Sequence, residues 1–198
     1  LKDVREELIE LVEAKTTQNT LENREFNVYD DVESTRLFRD LINRNLAVST
    51  VAIDDVDSVI ELIKKARFPW HVGPPMQAGD LLLIYIPKGI LKAIRGHQEL
   101  RKLNRDGLHL IFVAAGKSTL LGKESKWNYK VTIHNRLIIN NPISKEMLMQ
   151  NEILGKWGPV KMNFRSVGQN NQFVDRYIAG ELWRLILETN PDLIPSLS

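Results

Sequence analysis

The sequence predicts a mixed α+β fold of roughly five to six strands and about five helices, with amphipathic helices at both ends. Three observations lead there. The longest apolar runs, 81–86 and 110–115, are strand-sized. Apolar residues recur at steps of three and four near both termini. With 43% hydrophobic and 26% charged residues, the 198-residue chain has the composition of an ordinary globular domain. It is read as a single domain over 1–198, with a subdomain boundary near 68–79.

Asp3 and Glu6 form a capping-box-like opening to a helix over 3–14, which carries Val4, Leu8, Leu11 and Val12. Ser34 caps a second amphipathic segment with Leu37, Phe38, Leu41 and Ile42 on one face. Val51 and Ile53 alternate with Thr50 and Ala52, predicting a short strand. Asp54 or Asp55 then caps a helix bearing Val56, Val59, Ile60 and Ile63, which Pro69 stops. The turn formers of 68–75 supply the boundary signal.

A strand over 80–86, a helix over 88–103 and a strand over 108–114 suit a parallel crossover. Residues 127–133 and 136–139 read as strands on either side of a hairpin turn at His134-Asn135. Ser144 caps a helix that Gly155 ends, and 159–167 reads as a strand because Val160, Met162 and Phe164 alternate with Lys161, Asn163 and Arg165. The last helix, 171–189, sets Phe173, Val174, Tyr177, Ile178, Leu182, Trp183 and Ile186 on a core-facing stripe.

Charge is distributed unevenly. Residues 1–63 hold 7 basic and 15 acidic residues, net −8; residues 64–165 hold 18 and 6, net +12; residues 166–198 hold 2 and 4, net −2. On the helix 88–103, Lys88, Lys92, Arg95, Glu99 and Lys102 share one face, and Arg101 adds a further cation. With Lys161 and Arg165 these cations form the candidate anion-binding set. Trp127, Tyr129, Trp157 and Phe164 lie among the cations, as bases or headgroups would require. The expected function is therefore a non-enzymatic binding or assembly protein, matrix-like or scaffold-like, whose basic section 64–165 contacts nucleic acid, RNA included, or an anionic membrane surface. The acidic section 1–63 of one copy could meet the basic section of the next in a homo-oligomer.

The alternative is an enzyme on a phosphate-bearing substrate. Gly116-Lys117-Ser118 after a strand resembles the phosphate-binding loop of nucleoside triphosphatases, but Ile111 stands where the motif needs its first glycine. Asp106 with Glu124 and Lys126 resembles the carboxylate-lysine set of metal-dependent nucleases. His97-Gln98-Glu99 matches part of a zinc deaminase pattern whose cysteines cannot exist in a chain with none. No cofactor, metal or catalytic residue is expected. His109, alternating in an apolar strand, reads as a core or edge histidine, and Trp70 as either a core anchor or an exposed contact. No apolar run reaches the ~18 residues of a membrane span, and nothing else in the composition indicates a location.

Overall fold

The computed structural model describes residues 39–51, 56–94, 103, 105–122, 128–164 and 173–193. The helix expected over 3–14 lies outside them. The chain divides into two compact units: Leu1–Arg44 with Asp175–Ser198, and Asn45–Val174. Residues 68–79 lie inside the second unit.

The predicted α+β architecture is the observed one. The second unit runs β1 (Leu46–Thr50), α1 (Val56–Lys64), β2 (Phe68–Val72), β3 (Leu81–Ile86), α2 (Lys88–Ile94), β4 (Gly107–Ala114), β5 (Thr119–Leu120), β6 (Tyr129–Ile143), α3 (Lys145–Gln150) and α4 (Gly158–Lys161). Its six strands form one sheet in the order β1-β3-β4-β6-β2, with β5 also paired to β6. Only β1 and β3 run parallel. The expected parallel crossover between β3 and β4 is corrected: Ile86, the last residue of β3, pairs with Gly107, the first of β4. The excursion through α2 therefore leaves and re-enters at one end of the sheet, which makes the strands antiparallel.

Register sorts the side chains by face. Ala47, Leu82, Ile84, Leu110, Phe112, Trp70, Val72, Val131 and Ile133 share a buried cluster with Val59 and Leu62 of α1 and Ile90 of α2. The intervening residues of β3 are buried too, since all six of its positions are inaccessible. A strand covered on both faces is continuously apolar and shows no alternation. β1, LAVST, is buried at four of its five positions and ends at Thr50; residues 52 and 53 of the alternating segment the sequence suggested lie outside the described residues.

Trp70 is a core anchor. Its indole N–H donates to the Ser49 hydroxyl at 3.1 Å. Ser49 lies on β1 and Trp70 on β2, the two ends of the strand order. A flat sheet would hold those strands about 19 Å apart at ~4.8 Å per step, so a direct side-chain bond requires the sheet to curl around its core.

Irregularities in the ladders provide that curvature. Leu110 pairs with Ile84 but Leu108 with Tyr85, so His109 is an extra residue on β4. It is passed over again on the β6 side, where Leu108 and Leu110 pair with Ile143 and Ile138. His134-Asn135 is not a hairpin turn. β6 runs through it as a bulge, with Val113 opposite His134, Ile111 opposite Leu137, and Asn135 at φ 50°.

The predicted strand over 159–167 is also corrected. Pro159 sits in the first turn of helix α4, where its missing N–H costs nothing. Val160 and Phe164 are buried at helical spacing, whereas Met162 is 49% exposed. The Phe164 N–H closes the helix end on Pro159 O at 2.8 Å, with Asn163 and Phe164 at φ 53° and 57°. Burial of Phe164 and its stacking on Tyr85, centroids 4.1 Å apart, offset that left-handed backbone.

In the first unit, residues 39–43 are helical, as the segment begun by Ser34 predicts. Helix α5 (Arg176–Thr189) starts later than the periodicity suggested because Asp175 caps it, accepting from the Tyr177 N–H. Leu182, Trp183, Ile186 and Leu187 are its buried stripe. Arg184 bridges Glu181 and Glu188 at 2.9 and 2.8 Å.

Candidate anion-binding surface

Helix α2 is short, and its sequence divides it cleanly. Ile90 is fully buried and Leu91 packs on the core cluster, while Lys88 and Lys92, one turn apart, are exposed. Lys161, at the end of α4, is exposed as well. Arg95, Arg101, Lys102 and Arg165 lie outside the described residues, so three of the seven predicted cations have a described position.

Those three sit on elements that meet at one end of the sheet. The Tyr85–Phe164 stack holds the end of α4 against β3, three residues before Lys88. Glu146, in the first turn of α3, is at the same end. Its own N–H and the Ser144 hydroxyl hold its carboxyl below the usual carboxylate range, and Lys145 and Lys88 add to that. Burial, with Asp106 and Glu146 nearby, pushes the Tyr85 phenol up to about 12.

The described ion pairs are Lys65 with Glu61 and Arg184 with Glu181 and Glu188. Lys88, Lys92 and Lys161 make none among the described residues, and neither do Lys117, Lys130 and Lys156, all exposed. Lys130 stands opposite Thr119, and Lys117 two residues before Thr119. Their juxtaposition depends on strand register, which no local pattern reveals. The aromatic residues behave differently from expectation: Phe164 is buried, Trp157 packs edge-on against it at 5.8 Å, and Tyr129 packs on the core cluster. Trp127 is outside the described residues.

The enzyme-like fragments divide in the same way. Gly116-Lys117-Ser118 leads into β5 rather than a helix. A phosphate-binding loop of that kind runs into a helix N-terminus. Asp106 is half-buried beside the start of β4, but Glu124, Lys126 and His97-Gln98-Glu99 are outside the described residues. Among the described residues no three His, Asp or Glu side chains converge as a metal site would require. His109 is fully buried; its Nε2 is 2.5 Å from Arg105 O, and its Nδ1 has no hydrogen-bond partner among the described residues.

No protein-family model and no curated protein matches the sequence. A solved structure of a hypothetical protein from Leishmania major is similar over 73% of this chain and 96% of that one, at 12% identity and a TM-score of 0.44.

Proposed function

We propose that the chain is a non-enzymatic binding or assembly protein whose basic middle section contacts nucleic acid. One observation carries the reading: Lys88 and Lys92 stand exposed a turn apart on α2, with the apolar residues Ile90 and Leu91 turned to the core. Two cations at that spacing suit neighbouring phosphates. A bilayer would call for an apolar side chain beside them to insert, and α2 offers none among its described positions. The division of charge along the sequence also suits association of copies, which would appear as a salt-sensitive oligomer in sedimentation velocity.

The test is fluorescence anisotropy with labelled single-stranded and duplex nucleic acid across a salt series, beside sedimentation with anionic vesicles. The Lys88→Glu/Lys92→Glu variant is expected to lose affinity at least ~10-fold and to lower the log K against log salt slope by about 2, at ~0.9 per phosphate contact on a duplex. Wild type that binds no nucleic acid, or a folded variant that binds as wild type does, would overturn the proposal. Binding to vesicles alone would move the partner to lipid.

A further inference from the structure

We infer that a second phosphate-contacting surface lies on the outer face of the sheet where β2, β6 and β5 meet, separate from α2. This rests on the reading of the chain as a nucleic-acid binder and extends it to residues that reading does not use.

The ladders place His71, Lys130 and Thr119 in one row across three strands: His71 pairs with Lys130, and Lys130 with Thr119. Pro69 and Thr132 form the next row. All five are exposed, while Trp70, Val72, Val131 and Ile133 alternate with them into the core. The row spans two strand spacings, about 10 Å, room for more than one phosphate group along a backbone.

A bulge adds the next cation. The Ala115 N–H donates to Thr132 O at 2.8 Å, and pairing resumes at Thr119 with Lys130. Residues 116–118 therefore stand opposite Val131 alone, so two of them are extra; Lys117 is exposed two residues before Thr119, the partner of Lys130, and Ser118 between them is buried. Bulges commonly redirect a side chain in this way.

The strands that build this surface carry basic side chains and no acidic ones. Residues 62–79, 107–123 and 125–145, which contain β2, β5 and β6, include no Asp or Glu. Arg67, exposed just before β2, extends the cationic edge. No exposed Phe, Tyr or Trp stands in these rows, so the surface would contact mainly the sugar-phosphate backbone without reading sequence.

The experiment uses the full chain, a labelled mixed-sequence duplex, homopolymeric single strands, and vesicles of phosphatidylserine in phosphatidylcholine. Lys117→Gln/Lys130→Gln should lower the duplex salt slope by about 2 and weaken every sequence alike; Thr119→Lys, which adds a cation to the row, should steepen it by about 1. Wild-type binding that weakens in the Lys88/Lys92 variant, with the slope unchanged in both corner variants, would overturn this inference and leave the α2 proposal standing. No nucleic-acid binding by wild type would overturn both. Corner variants that change only vesicle binding would overturn nucleic acid as the partner of this face.

Discussion

At His109 an imidazole has been taken out of water with one hydrogen bond where solvent would give it two. Burial lowers its pKa, outweighing the Arg105 carbonyl and the Asp106 charge that favour the proton. The folded chain therefore resists protonation where the unfolded chain accepts it near the ordinary value of about 6.5. Above that pH both states are neutral and His109 contributes no pH dependence. As pH falls below it the unfolded state alone gains the proton, and stability declines until the lowered folded pKa is passed. The urea midpoint of wild type should thus fall more steeply between about pH 7 and 5 than that of His109→Gln. Parallel curves would show that this imidazole titrates alike in both states.

Among the elements, β4 and β6 pack tightly at Gly107. A Cβ there would lie 2.5 Å from Ile143 O and 3.0 Å from its carbonyl carbon, and Gly107 has φ +154°. Both obstacles are backbone, so no rotamer relieves them. Gly107→Ala should cost about 2–4 kcal/mol by denaturant unfolding, and Gly116→Ala, whose Cβ meets nothing within 4 Å, should be close to neutral. Equal effects would mean that the close approach is not rigid.

Legibility in the sequence also differed by element. β3 and β4 were readable because 81–86 and 110–115 are unbroken apolar runs, and α5 because its stripe recurs over four turns. β2 was hidden by Pro69, which reads as a breaker yet is tolerated on an edge strand. β6 looked like two strands because an Asn in left-handed backbone serves a bulge as well as a turn. In 159–167 three apolar residues alternated by chance, and the Pro in a helical first turn was the better signal. Lys88 and Lys92 are legible from local spacing, whereas the pairing of Lys130 with His71 and Thr119 depends on contacts 59 and 11 residues away.

For the second unit as a whole, the bond from Trp70 to Ser49 measures closure of the sheet. It joins the ends of the strand order, so its strength is coupled to the curl of every strand between them. In a double-mutant cycle, Trp70→Phe and Ser49→Ala should show a coupling of about 1 kcal/mol. Additive effects would indicate that the two edges are held together by the apolar cluster alone.

The same closure sets an order for biosynthesis. β1 and β2 are only 18 residues apart between Thr50 and Phe68, and they leave the ribosome almost together. Yet β2 has a strand neighbour only in β6, whose residues 129–133 follow some sixty positions later. Until that segment emerges, the 68–72 edge has no strand partner, the condition in which a nascent chain is most exposed to chaperones and to mispairing with its neighbours.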